Sequence, residues 1–232
     1  MNKSFLTVGL LLVIALLVFG CTNSTTSTTG STGTGVSNPL TAFAQTFSNQ
    51  APAGFSITYN MNLTGTQTSN SVYVSQNKFR TDSTFNGVQT RVIVTDAIAA
   101  VCNQENSVWQ CVETPATPEE KLQVYNSTSL NQAQLDELNK FQITEAPSRT
   151  VLGIAAKCFN MSRTDDNDTP ETTDDETVTG LTCYHPNAFV TLYSELNTSQ
   201  GNLVQEATAV SLTAPADSEF ALPAALTSQP TE

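Results

Sequence analysis

The sequence of 232 residues is short of basic residues, with 9 Lys and Arg against 21 Asp and Glu, and it holds one His and one Trp. A net charge of −12 leaves no basic stripe to displace counterions from phosphates, which excludes a nucleic-acid binder. The single imidazole, His185, is the one base open to a Ser/His/Asp or Cys/His scheme, and it precedes Pro186-Asn187 at a turn, where solvent exposure is the ordinary outcome. No Gly-rich phosphate loop, GxSxG elbow or HExxH zinc motif is present, and the spacing of Asp82 and Asp96 gives no acid/base pairing. These absences point away from catalysis and imply no cofactor or metal. Charged residues reach 13% and Thr, Ser and Asn take their place, yet the apolar 39% alternates too regularly for a disordered acidic chain.

Met1-Asn2-Lys3 is a short basic start, Phe5 to Phe19 is almost unbroken apolar, and Gly20 and Cys21 follow. The run has the length of a secretory h-region and falls short of the roughly 20 residues of a membrane span, so residues 1–20 read as a signal peptide. Val18-Phe19-Gly20-Cys21 resembles a lipobox, whose Cys is lipidated and becomes the mature N-terminus, and Cys21 is therefore the candidate lipid anchor. Phe19 stands where a small residue is usual, which keeps an uncleaved signal anchor as the alternative. Both readings put the rest of the chain outside the cytoplasm, held to the cell membrane. Residues 22–38, TNSTTSTTGSTGTGVSN, cannot bury apolar surface and form with Cys21 a flexible tether.

Cys102, Cys111, Cys158 and Cys183 remain, and four cysteines allow three pairings. Ala97 to Cys102 and Val108 to Glu113 read as two strands about a turn near Asn106-Ser107, which sets Cys102 opposite Cys111. Cys158 and Cys183 lie in the strand-like segments Val151 to Asn160 and Val178 to His185. Zinc ligation by the four lacks a CxxC spacing and sits poorly with an exported chain. Six Asn-x-Ser/Thr sequons follow the signal, at Asn23, Asn62, Asn126, Asn160, Asn167 and Asn197; several arise by chance in such a composition, and where surface N-glycosylation exists they mark exposed loops.

One domain spans 39–224, ahead of a polar tail over 225–232. Asn38-Pro39 caps a helix in which Leu40, Phe43, Ala44 and Phe47 repeat at helical spacing. Phe55 to Leu63 alternates apolar and polar, and short strands at Val72 to Val74, Lys78 to Thr84 and Val88 to Thr95, the last two joined at Asn86-Gly87, continue an antiparallel meander to Glu113. Thr117-Pro118-Glu119-Glu120 opens a second helical stretch with a helix over Ser129 to Phe141, and strands resume at Thr150 to Asn160, Val178 to His185, Phe189 to Leu196 and Leu203 to Leu212. Between Cys158 and Cys183 seven acids crowd from Asp165 to Glu176; closely spaced carboxylates suit calcium, but the glycine turn and distal Glu of an EF-hand loop are missing, so a solvated loop is the expectation.

This order of elements, with Phe79-Arg80-Thr81-Asp82 after a strand, Val108-Trp109-Gln110-Cys111 closing a hairpin, Gly153 ahead of Cys158, Cys183-Tyr184 and the terminal Phe220-Ala221-Leu222-Pro223, resembles the lipoprotein-localisation carriers of the LolA/LolB-like superfamily. The Thr- and Asn-rich tether with its sequons leans towards an archaeal surface. The resemblance implies an α+β fold, a strongly curved antiparallel sheet forming an unclosed half-barrel, with short helices covering its concave face over an apolar cavity for acyl chains. The helix carrying Phe43 and Phe47 would be part of the lid. Independently, a twisted sheet covered on one face by two helices need not be filled by side chains. The candidate lining is Phe55, Ile57, Tyr59, Met61, Trp109 and Phe159 with Phe43 and Phe47, each of which competes with an ordinary core role.

The expected function is that of a membrane-tethered lipoprotein binding a lipid or other apolar ligand. The alternative is a cell-surface structural or interaction protein that uses the same fold as a scaffold and takes no small ligand.

Overall fold

The computed structural model describes residues 43–44, 46–47, 52–118, 120–121, 124, 132–165, 176–198 and 201–227. The signal peptide, Cys21, the tether, the middle of the acidic segment and the end of the polar tail lie outside the described residues. The first meander comprises β1 (Gly54–Leu63), β2 (Thr66–Ser75), β3 (Lys78–Phe85), β4 (Val88–Val94), β5 (Ala99–Glu105) and β6 (Val108–Glu113). After helix α1 (Gln132–Leu138), the second comprises β7 (Gln142–Val151), β8 (Ile154–Asp165), β9 (Glu176–Tyr184), β10 (Thr191–Thr198) and β11 (Gly201–Ser211), and a short β12 (Leu226–Thr227) ends the chain. All belong to one sheet in the order β12-β6-β5-β4-β3-β2-β1-β11-β10-β9-β8-β7. Antiparallel pairing of β1 with β11 joins the two meanders, and β12 adds to β6 in parallel. The outer strands β12 and β7 do not pair with each other, so the sheet is unclosed.

The α+β expectation is overturned: the described residues are nearly all sheet, with one seven-residue helix and few helical residues beside it. Most of β7 and the first half of β2 go beyond the sequence expectation, which placed a strand at Val72 to Val74. In β2, Thr66 to Ser71 carries no apolar residue, yet Asn70 is buried and its Oδ1 accepts the Thr81 hydroxyl at 2.8 Å, so polar residues fill an interior position by bonding each other. The strand expected at 150–160 is a hairpin: Leu152 and Gly153 both take positive φ, at 53° and 77°, and turn β7 back as β8. Pro147 and a register shift between Ala146 and Arg149 sit in β7, an edge strand where a missing donor and a bulge are tolerated and discourage further pairing.

The described helical residues with side chains in the core lie over one end of the sheet. Phe43, Phe47 and Leu138 pack with Ile143, Phe159, Met161 and Tyr184 over β7 to β9. A larger core runs through Phe55, Ile57, Tyr59, Met61, Val72 and Val74 to residues of β8 to β10. Ahead of the second helical stretch, Thr117 N donates to Glu120 Oε2 at 2.7 Å and Glu120 N to Thr117 Oγ1 at 3.2 Å, a reciprocal capping box.

Beyond β11 the chain crosses the sheet towards β6. A Cβ on Gly54 would meet Ala214 at 2.9 Å, so glycine is what permits the crossing. A 3-10 turn at Asp217–Phe220 then packs on β3, with Phe220 buried and Lys78 bonded to Asp217 at 2.6 Å.

Cys102 bonds Cys111 and Cys158 bonds Cys183, each pair directly opposite on neighbouring antiparallel strands. Two such bridges fit an oxidising, extracytoplasmic setting. Among the described residues no helix is long and apolar enough to cross a membrane, and no group of His, Cys, Asp and Glu is placed to hold a metal.

Candidate functional site

The strand registers sort the candidate residues between two faces. Met61 pairs with Gln205, Gln205 with Ser194, Ser194 with Thr182 and Thr182 with Phe159, so Met61 and Phe159 point the same way. Phe55, Ile57 and Tyr59 share that face by the strand's alternation. The Phe43 ring stands 4.8 Å from that of Phe159, which places the helical residues on this face too. Trp109 does not join them. It pairs through Gln104, Gln89, Thr84 and Ser69 to Asn60, on the opposite face, and lies half-buried beneath Arg91 at 5.1 Å.

The helix-bearing face is filled by rings where the helical residues meet it. Phe43 sits edge-on to Phe47 at 5.1 Å and to Tyr184 at 5.4 Å, and Tyr184 stacks on Phe189 at 5.1 Å. These contacts are apolar and edge-to-face pairs add roughly 0.5–1.5 kcal/mol each beyond area burial. Burial raises the phenols of both Tyr59 and Tyr184 well above their ordinary range, and only Tyr59 has a hydroxyl partner among the described residues, donating to Thr191 O at 2.9 Å. The residues clustered around Phe43 and Phe47 therefore carry no charge.

An open groove of about 430 Å³ lies at the same end of the sheet and is lined by β7 to β10. Its walls are i, i+2 pairs of polar residues on successive strands: Gln142 and Thr144, Asn160 and Ser162, Glu195 and Asn197, with Thr179 between. The register puts these on the face opposite Phe159, because Asn160 and Phe159 are chain neighbours in one strand. Glu195 is held by Tyr193 Oη at 2.9 Å and by Asn202 Nδ2 at 3.4 Å, and Asn202 Nδ2 also reaches Asn197 Oδ1 at 2.9 Å. Arg149 stacks over Tyr193 at 3.6 Å beside the groove. Sequence reading missed Gln142, Thr144, Thr179 and Glu195; the signal that finds them is polar residues at strand spacing on several strands in succession.

The groups considered for chemistry are engaged elsewhere. Asp82 receives Arg91 through Nε at 2.7 Å and a guanidinium nitrogen at 2.9 Å, and Arg80 Nε at 2.9 Å. Burial pushes the Asp82 carboxyl up, but the two guanidinium hydrogen bonds outweigh it and hold the group below the ordinary carboxylate range. Arg80 also binds Glu219 at 2.9 Å, so this cluster fastens the C-terminal crossing. His185 is lowered by burial, and its Nδ1 accepts the Asn187 amide at 3.1 Å, which makes it a turn residue. Asp96 offers its backbone oxygen to Lys121.

No family model and no curated protein matches the chain. Among solved structures it is similar to MucB, at 14% identity and a TM-score of 0.48 over 81% of this chain and 62% of that one. It is also similar to LprF from Mycobacterium bovis, at 12% identity and TM-score 0.45, covering 79% of this chain and 99% of that one. A further likeness is to the Mycobacterium tuberculosis lipoprotein LppX, at 12% and 0.42, covering 73% and 93%. The chain spans about three fifths of the MucB length. At these identities the likeness is one of strand arrangement alone.

Proposed function

We propose that the protein is a membrane-tethered, extracytoplasmic binding protein whose helix-bearing face takes a lipid or other apolar ligand, and that it is not an enzyme. The observation that carries this reading is the seating of Phe43 and Phe47 on Phe159, Met161 and Tyr184 by ring and aliphatic contacts alone. Such a plug is exchangeable for hydrocarbon. Re-exposing two phenylalanine rings costs about 3–6 kcal/mol, and an acyl chain of about 14 methylenes gains about 11 kcal/mol on leaving water. A dispersed amphiphile therefore outcompetes the plug, and a lipid drawn from a bilayer does so when the two rings stay against its chains. Phe43, Phe47, Phe55, Ile57, Tyr59, Met61 and Phe159 are the residues that would meet it. Trp109, on the other face, is excluded from that set by its register.

The candidate anchor Cys21 and the tether precede the helical residues directly in sequence, which supports a site held close to the membrane that supplies its ligand. Native mass spectrometry of the full chain released from its own membranes tests the reading. Co-released lipid, seen as added mass on the intact chain, is the expected result; a ligand-free protein that takes up no fluorescent fatty acid would sink it.

The filled apolar face favours a second reading, a surface interaction protein in which the fold is a scaffold and the open polar face meets the partner. Partner capture that persists in a chain carrying Ile57→Trp, with no lipid in either form, is the result that selects it.

A further inference from the structure

We propose that Asn160 and Asn197 carry N-linked saccharides and that the groove between them seats the first sugar residues. Three sequons fall within the described residues, at Asn62, Asn160 and Asn197. All three lie on the same face of the sheet and at the same end. Asn62 pairs with Val204, Val204 with Glu195, Glu195 with Leu181 and Leu181 with Asn160, one transverse row of direct register partners. Asn197 follows two residues after Glu195 on β10 and so shares the row's face. Among the described residues the opposite, helix-bearing face carries no sequon. A sequence drifting at random has no reason to sort its sequons this way, whereas a bulky polar modification must stay off a face that packs rings.

The local geometry leaves the nucleophilic nitrogen accessible. Asn160 and Asn197 are both exposed and both line the groove. Asn197 Oδ1 accepts Asn202 Nδ2 at 2.9 Å, which turns its own Nδ2 away from the protein, and Asn62 Oδ1 is held likewise by Gly65 N at 2.8 Å. By strand spacing and rise, Asn160 and Asn197 stand roughly 12 Å apart. The 430 Å³ between them is walled by amides and hydroxyls around Leu181 and Met161, and the side chains of Gln142, Thr144 and Thr179 take no hydrogen-bond partner among the described residues. Sugar hydroxyls, each both donor and acceptor, match such a lining. No cation is among the residues lining the groove to favour an anion, and Glu195 disfavours one.

In the modification, Nδ2 forms a bond to the anomeric carbon of a saccharide activated as a lipid phosphate or diphosphate. That carbon's bond to the phosphate oxygen breaks, the phosphate carrier leaves, and the amide gives up one proton. The inference does not rest on the apolar-ligand reading, which concerns the other face.

Peptide mass spectrometry on the full chain isolated from its own cell envelope is the test. Peptides containing Asn160 and Asn197 are expected to carry the same saccharide mass. Ser162→Ala and Ser199→Ala should each remove one such mass from the intact protein. An unmodified Asn at either position overturns the proposal. Seating is read by amide exchange of the β9 peptide, which should be slower in the glycosylated chain than in the S162A/S199A double variant and unchanged by Thr64→Ala. Equal exchange with and without the saccharides overturns the seating.

Discussion

Met61 on β1 and Phe159 on β8 stand in one transverse row of the sheet, with β11, β10 and β9 between them, and both turn to the face that receives Phe43. A single alternating strand near the start of the domain is thereby coupled to the far meander through a common apolar surface. The face is continuous because β1 and β11 pair at its centre, so neither meander can bury its stripe alone.

Removing the ring at Phe43 tests how firmly that surface is plugged. Phe43 is wholly buried, and Phe43→Ala should lower the unfolding free energy by about 3 kcal/mol, the low end for a buried ring, since the site lies at one end of the sheet. Urea denaturation gives the number. The same variant should bind an apolar dye that the parent ignores, and a variant of unchanged stability and dye response would show that the ring is not seated as described.

Two buried tyrosines on this face should respond in opposite ways to loss of their hydroxyls. Tyr59 Oη donates to Thr191 O, so Tyr59→Phe removes a hydrogen bond and orphans a carbonyl, costing about 1 kcal/mol. Tyr184 is as deeply buried, and its hydroxyl finds no partner among the described residues, so Tyr184→Phe should be neutral or stabilising by up to about 1 kcal/mol. Matched denaturation curves decide, and equal losses would contradict the assignment.

The legible part of this fold was whatever wrote its burial as alternation or its turns as dedicated residues. Phe55 to Leu63 and the Asn86-Gly87 turn fall where the sequence placed them, and both cysteine pairs sit directly opposite as their flanking strands implied. The run before Val72 was opaque because Asn70 is buried by a hydrogen bond to Thr81, which leaves no apolar mark. Leu152-Gly153 was opaque because a leucine at positive φ is a poor turn signal. These two omissions concealed β7 and half of β2. Residue faces followed the same logic: Phe159 and Met61 could be matched by type, whereas the position of Trp109 depends on five successive registers that no local pattern encodes.

The Asp82 cluster gives the protein a defined acid limit. The carboxyl is held below its unfolded value of about 3.9, so its contribution to stability is fully present above that pH and is lost as pH falls through the lower folded value. Asp82→Asn should cost about 1–3 kcal/mol at pH 7, since Arg80 is left buried beside a neutral partner, and the deficit should shrink below pH 4 as the parent itself protonates. Denaturation at pH 7 and pH 3 measures both. A deficit that stays constant with pH would mean that the carboxylate charge is not what Arg80 and Arg91 hold.

The two disulfides differ in the length of chain they close, with separations of 9 and 25 residues. The loop-entropy relation assigns about 2.7 kcal/mol to Cys102–Cys111 and about 3.5 kcal/mol to Cys158–Cys183. Replacing each pair by alanines should preserve that order. A further difference separates them: seven acids lie between Cys158 and Cys183, whereas Glu105 is the one acid between Cys102 and Cys111. Like charges in the longer segment push its ends apart, a force the bridge resists and salt screens over about 10 Å at 0.1 M. The Cys158/Cys183 variant should therefore recover part of its loss as salt is raised from about 10 mM to about 300 mM, and the Cys102/Cys111 variant should recover much less. Parallel salt responses would show that the acidic segment exerts no tension on the hairpin it interrupts.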